Sequence, residues 1–199
     1  MKITYLAGIL IVMGGAYLVW KSSFRNAYES AAYSQVKAEG KFEIRDYPDL
    51  QLVTTPTDMD AEGNDGSFMR LFRYISGGNE SKQKVAMTTP VFMDSGPNDS
   101  EEQMGFVLPE AVANQGAPAP TGQGVQLQVR QGGKFAVLRF SGRMDARERS
   151  AAETKLRSWI NQENLKGSGS AEFAGYDPPW IPGFLRRNEV LIRLDEAKH

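Results

Sequence analysis

The sequence predicts an α+β domain of two similar halves, each laid out as strand, helix, strand, strand, behind an apolar N-terminal segment. Three observations predict it. Period-2 and helical apolar patterns follow one another twice in the same order after Phe42. A Pro/Gly-rich connection, residues 114–124, separates the two rounds. Residues 3–20 carry no charged side chain. Two helices against a curved antiparallel sheet or distorted β-barrel satisfy this order, with the halves related by approximate two-fold symmetry.

Residues 3–20 are mostly Ile, Leu, Val, Ala, Gly and Met, with Tyr5, Tyr17 and Trp20 near the ends. About 18 residues at 1.5 Å rise span roughly 27 Å, close to the hydrocarbon thickness of a bilayer. The sequence reads as a transmembrane anchor over 1–25, and aromatic rings near its ends suit the interface. A cleaved signal peptide is the rival, but the small-residue site Ser30-Ala31-Ala32 lies far beyond Trp20. The expectation is a membrane-anchored chain with its domain exported, on the periplasmic side in a bacterial host. Residues 26–41 are polar with little periodicity and read as a tether, leaving 42–199 as the folded domain.

Phe42-Glu-Ile-Arg-Asp-Tyr47 alternates and stops at Pro48; residues 50–55 resume as a second strand. Residues 66–76 read as a helix, with Phe68, Leu71, Phe72 and Ile75 at i, i+3, i+4, i+7 spacing and Gly77-Gly78 as its stop. Residues 85–93 and 103–108 read as a hairpin. In the second half, residues 125–129 and 135–140 are expected to pair across Gln131-Gly-Gly133. Asp145 caps a helix with Glu148 three residues on, and Ala152, Leu156, Trp159 and Ile160 form its buried stripe. Gly167-Ser-Gly-Ser170 releases that helix, and residues 172–176 and 188–194 close the fold as strands.

Composition narrows the chemistry. Net charge is −1, so nothing favours nucleic acid, and no basic stripe or reading motif is present. Cysteine is absent and the single histidine is His199, the last residue. A Ser-His-Asp or Cys-His arrangement would have to borrow the chain terminus. The expectation is a binding protein, not an enzyme, with no metal site of its own. The weaker catalytic reading rests on Glu43, Asp46, Glu172 and Glu189, which flank or lie in the strands.

The chemistry-bearing stretch is Tyr176-Asp-Pro-Pro-Trp-Ile-Pro-Gly-Phe-Leu-Arg-Arg-Asn-Glu-Val190. Three prolines and a glycine make a stiff, non-helical loop, because proline fixes φ and donates no backbone hydrogen bond. Aromatic rings on that loop, with Arg186 and Arg187 at its edge, suit a flat, apolar, anionic ligand; a packed lid over the core is the plainer alternative. Ion pairs from Arg186, Arg187 and Glu189 would hold the loop to the sheet.

Five segments in this order resemble the SOUL haem-binding family: Phe42-Glu-Ile-Arg-Asp-Tyr-Pro48, Arg73-Tyr-Ile-Ser-Gly-Gly-Asn79, Lys84-Val-Ala-Met-Thr-Thr-Pro-Val91, Phe106-Val-Leu-Pro109, and Ala174-Gly-Tyr-Asp-Pro-Pro179 through Arg187-Asn-Glu-Val190. The resemblance covers essentially the whole chain after about residue 40. It implies a repeated α+β barrel similar to the effector-binding domain of some drug-sensing regulators. It also implies binding of haem or another tetrapyrrole without turnover. By position it assigns the ligand contacts to Phe68, Phe72 and Arg73 on the first helix, and to Trp180 and Phe184 on the loop. Phe68 and Phe72 are one turn apart and can face a porphyrin plane together, although an ordinary core stripe would use them equally well. Arg73 is read as a partner for a propionate or as a solvated surface residue.

One branch of the family is thought to use an axial histidine just after the Ile-Arg of the first strand, and Asp46 stands in that slot here. A carboxylate replaces imidazole poorly at haem iron. Met69, Met87, Met93 or a tyrosine could ligate instead, with adaptable core filling as the plainer role for the methionines. Burying several hundred Å² of porphyrin supplies on the order of 10 kcal/mol gross, against an association cost of roughly 4–15 kcal/mol. Non-covalent haem binding of low specificity is expected. The alternative is an effector-sensing or protein-interaction scaffold whose ligand is not haem.

Overall fold

This computed structural model describes residues 28–57, 66–95, 102–178 and 181–195. In chain order the elements are β1 (Glu29–Ser30), β2 (Ser34–Glu39), β3 (Phe42–Tyr47), β4 (Leu50–Pro56), α1 (Ser67–Ile75), β5 (Thr88–Thr89), β6 (Val91–Ser95) and β7 (Glu102–Val107). They continue with α2 (Glu110–Gln115), β8 (Gln126–Arg130), β9 (Gly133–Ser141), α3 (Ala146–Gln162), β10 (Gly167–Gly175), a 3₁₀ turn (Gly183–Leu185) and β11 (Arg187–Leu194).

Nine strands form one sheet in the order β2-β3-β9-β11-β10-β6-β7-β4-β8, while β1 and β5 pair separately. Exchanging the two halves (β3 with β8, β4 with β9, β6 with β10, β7 with β11) turns the order of the eight strands other than β2 into its own reverse. The expected two-fold relation is therefore present, and its axis passes between β6 and β10, where Phe173 opposes Met93 and Ala174 opposes Phe92.

Register puts the two faces of the sheet to different uses. Ile44, Ala136, Leu138, Val190, Ile192 and Phe173 pack against Ala152, Leu156, Trp159 and Ile160 of α3. On the same face, Val53 and Phe106 pack against Leu71, Tyr74 and Ile75 of α1. Both helices thus lie on one side, as apolar stripes must to reach water-free surface. Among the described residues, no helix contributes to the cluster on the other face. There Leu50, Leu52, Phe92 and Val107 from one half meet Tyr47, Phe135, Val137 and Leu191 from the other. The sheet satisfies that face by curling on itself, and the Arg130 guanidinium lies 5.1 Å from the Tyr47 ring where its ends approach.

The curl stops short of a closed barrel, which corrects part of the expected architecture. The outer side of β3 is already paired to β2, whose six residues are all exposed. No ladder joins it to β8, the other edge. Lys37 and Glu39 place charges on the β2 edge, a common guard against further strand addition. The segment read as a tether is corrected as well, since from Glu29 onward it supplies β1 and β2.

The hairpin expected across residues 131–133 does not form. β8 pairs with β4 and β9 pairs with β3 and β11. The crossing needs glycine: a Cβ on Gly132 would sit 2.4 Å from the Tyr47 carbonyl oxygen, and Gly133 has φ 124°. The Gly132 N–H donates to Asp49 Oδ1 at 2.7 Å, pinning the loop over the β3–β4 turn. Residues 167–170, expected as a linker, open β10 and pair with β11 through an irregular register between Ser168 and Glu172. Pro90 divides the first strand of the expected 85–93 hairpin into β5 and β6, and β6 pairs with β7 as expected.

Two main helices were expected, and α1 and α3 are those; α2 is a third, short one inside the connection. The Asp145 side chain caps α3, accepting the Glu148 N–H at 3.0 Å. The segment read as a transmembrane anchor, 1–25, lies outside the described residues. Among the described residues, no helix is long and apolar enough to cross a membrane.

Candidate functional site

The helix that carries the site has more apolar side chains than its core contact uses. Leu71, Tyr74 and Ile75 of α1 are buried, but Phe68 and Phe72 remain 37% and 43% exposed. A plain core stripe would have hidden them. Their rings are nearly parallel, 13° apart with centroids at 6.1 Å, and the Phe68 ring stands edge-on to Phe106 at 5.3 Å. Together they form an aromatic wall of two nearly parallel rings, apolar contact that a planar conjugated ligand can use.

That wall bounds a cleft of about 440 Å³ lying over β6 and β10, on the two-fold seam. Its volume falls within the usual range for small-molecule sites. Val91, Met93 and Gly175 come from the seam strands, Met104 from β7, and Met87 and Met144 from flanking loops. The chain segment Tyr176-Asp177-Pro178 and Arg186 close the rim. Gly175 is small for a reason: a Cβ there would meet the Met144 methyl at 3.3 Å and the Met93 methyl at 3.8 Å.

The loop at the rim is held by charge, as its arginines suggested. Arg187 pairs with Asp177 at 3.0 Å, and its backbone N–H donates to the same carboxylate at 2.6 Å. Arg186 donates from Nε to the Ile181 carbonyl at 2.8 Å. These bonds tie both ends of the loop together.

Behind the rim lies a second, polar pocket of about 500 Å³, sharing Tyr176 and Asn188 with the cleft and lined by Lys41, Arg45, Arg139 and Glu189. Arg45, almost fully buried, donates from both Nη atoms to the two oxygens of Glu189 at 2.8 Å and from Nε to Glu43 at 2.6 Å. Arg139 reaches the other Glu43 oxygen at 3.0 Å, and the Tyr176 hydroxyl donates to Glu189 at 2.8 Å. Burial opposes the Arg45 charge, but the Glu189 carboxylate outweighs it and raises the guanidinium further. Burial, reinforced by Glu189, pushes the Tyr176 phenol up, and burial pushes Tyr47 up to about 12. Both phenols therefore stay protonated at neutral pH, Tyr176 donating to Glu189 and Tyr47 accepting from Arg45.

The structure brings Phe68 and Phe72 into the cleft. Arg73 is exposed on α1 and does not line it; Phe184 is 76% exposed on the 3₁₀ turn and also stands outside the lining. Trp180 lies outside the described residues. Sequence reasoning missed Met104, Met144 and Tyr28 as lining residues, which come together only through the fold. It also missed the Arg45 network as a unit, although Glu43, Arg45 and Tyr47 alternate along one strand and so share a face. Asp46, in the slot of the family's proposed axial histidine, is exposed at the end of β3. Among the described residues, no group of three or more histidine, cysteine, aspartate or glutamate side chains could hold a metal ion.

Comparison with known proteins agrees with this architecture. The chain is 30% identical over 156 residues to Heme-binding protein 1 of Xenopus laevis, covering 75% of this chain and 81% of that protein. It is 27% identical over 179 residues to Heme-binding protein 1 of Mus musculus, covering 87% and 90%. A solved structure titled as a hydrolase from Listeria innocua superposes with TM-score 0.55 at 13% identity, over 80% of this chain and 94% of that one. The EcmrR–DNA complex superposes with TM-score 0.58 at 8% identity, over 98% of this chain and 68% of that one. At such identities these two structures show a shared fold alone. The profile described as SOUL heme-binding protein matches residues 28–193, and the chain belongs to that family.

Proposed function

We propose that this chain holds haem or a related tetrapyrrole non-covalently in the seam cleft, as a binding module without chemistry of its own. The observation that carries the reading is the parallel Phe68–Phe72 wall, left exposed by the core and facing a methionine-rich floor. Aromatic faces and thioethers give a flat pigment apolar contact on both sides. Arg186, which donates to the Ile181 carbonyl, places a cation at the rim. Histidine takes no part, because the sequence has none before His199.

A binding role also fits the carboxylates. Glu43 and Glu189, the buried candidates for a catalytic base, accept hydrogen bonds from Arg45, Arg139 and Tyr176. Such pairing holds a carboxylate as a structural counter-ion. Residues 1–25, whose stretch 3–20 carries no charged side chain, are the membrane anchor in this reading, with the domain on the exported side. The second reading, a sensor of other apolar ligands, draws on the four methionines, since thioether side chains reshape easily around different guests.

Titration of the full chain with haemin and with metal-free protoporphyrin, followed by absorption, tests the proposal. Saturable shifts for both pigments are expected. No shift for either would overturn it, and equal affinity for unrelated planar aromatics would favour the sensor.

A further inference from the structure

Pigment binding leaves two of the most exposed apolar side chains without a role. The exposed residues of α1 are Phe68, Met69, Phe72 and Arg73, while Ser67, Leu71, Tyr74 and Ile75 are buried. A surface helix ordinarily turns polar residues to water, and one that is apolar all round is covered by something. A ligand in the cleft covers Phe68 and Phe72, which line it, but Met69 is 57% exposed and lies outside the lining. Phe184 also stands outside it, on the 3₁₀ turn two residues before Arg186 of the rim. With Tyr28 of the lining, five of the nine exposed large apolar side chains among the described residues lie in or beside this one mouth. Such a gathering marks contact with a membrane or with another protein.

Two features favour the membrane. The first is charge, since Arg73 and Arg143 are both exposed beside the patch. Arg73 follows Phe72 on α1, and the Arg143 side chain packs along the 3₁₀ turn, its Cγ 3.0 Å from where a Cβ on Gly183 would sit. Asp177, the only carboxylate of the lining, is paired with Arg187. Apolar side chains flanked by arginine suit a lipid surface with anionic headgroups. The second is reach. Tyr28 stands three positions after residue 25, where the proposed anchor ends. Three residues span at most about 11 Å, so an anchored chain holds this wall of the cleft close to the bilayer.

We propose that the domain lies with the cleft mouth against the bilayer, Met69 and Phe184 among the outermost acyl carbons and Arg73 and Arg143 at the phosphates of anionic lipids. The inference rests on the anchor reading and adds the face that meets the lipid. An apolar pigment then passes between bilayer and cleft without crossing water.

Because the sequence has no cysteine, a single introduced cysteine can carry an environment-sensitive fluorophore on the full chain. Met69→Cys and Phe184→Cys report the mouth. Gln162→Cys reports the far end of α3, about 25 Å from its start beside Met144. All three positions are exposed, so the label displaces no core packing. The chain is reconstituted in vesicles of phosphatidylcholine and phosphatidylglycerol in equal parts. Both mouth labels are expected to shift to the blue and to be quenched by nitroxide carried on the lipid tails, with the Gln162 label unchanged. On phosphatidylcholine alone the shifts are expected to shrink; shifts equally large there overturn the arginine contact. Chain that resists alkaline extraction while both mouth labels stay in water overturns the docking and leaves the anchor standing. Chain that is extracted, with its labels in water, overturns both. Mouth labels shielded from water but beyond reach of the nitroxide reveal a protein cover and overturn lipid as the occupant.

Discussion

Phe72→Ala tests the aromatic side of the cleft directly. The Phe72 ring is 43% exposed on α1, so truncating it removes a ligand-facing surface together with the buried remainder of the side chain. A phenylalanine side chain presents roughly 200 Å² in total, which leaves about 85 Å² for a ligand to cover. At about 25 cal/mol per Å² that contact is worth about 2 kcal/mol. The corresponding loss of affinity is about 30-fold. The assay is a fluorescence titration of metal-free protoporphyrin into wild type and variant, beside urea unfolding of both. The expected result is a 30-fold weaker dissociation constant, with a lowered unfolding midpoint but a protein still fully folded under the titration conditions. If the variant binds within twofold of wild type while folded, the aromatic wall is not the ligand contact and the reasoning from exposure fails.

Two further outcomes concern the polar interior. Glu189→Gln leaves the almost fully buried Arg45 with Glu43 as its remaining carboxylate partner. The expected cost is about 3–5 kcal/mol, measured by urea unfolding. Burial, with a contribution from the Glu172 carboxylate, pushes Asp94 up from 3.8 to about 6. Folding therefore favours protonated Asp94: the associated stability is complete below about pH 4 and is lost as pH rises through about 6. Asp94→Asn is expected to flatten that slope and to stabilise the protein above pH 6 by about 1–3 kcal/mol, read from unfolding at several pH values.

Much of the fold was legible because its strands and helices announce themselves locally. The alternation of Phe42 to Tyr47 and the Asp145 cap with Glu148 at N3 each translated into the element expected. What failed was pairing. A Gln-Gly-Gly between two short strands suggests a hairpin, but here the glycines serve to pass the chain over the Tyr47–Asp49 backbone. No local pattern distinguishes those uses, because the discriminating contact is with residues some 80 positions away. The aromatic pair Phe68 and Phe72 was legible as a helical face, yet its exposure depended on Leu71, Tyr74 and Ile75 saturating the core contact. The methionine floor was hidden for the same reason: Met87, Met93, Met104 and Met144 share no periodicity and meet only across the two-fold seam.

The location of the ligand is tested most directly by methyl NMR of protein labelled at methionine methyl carbons. A porphyrin stacked on the Phe68–Phe72 wall throws its ring current onto the thioether methyls beneath it. On adding metal-free protoporphyrin, the Met87, Met93, Met104 and Met144 signals are expected to move strongly and saturably, with Met69 moving least. Saturable binding that leaves those four signals in place would put the pigment elsewhere on the protein and contradict the account.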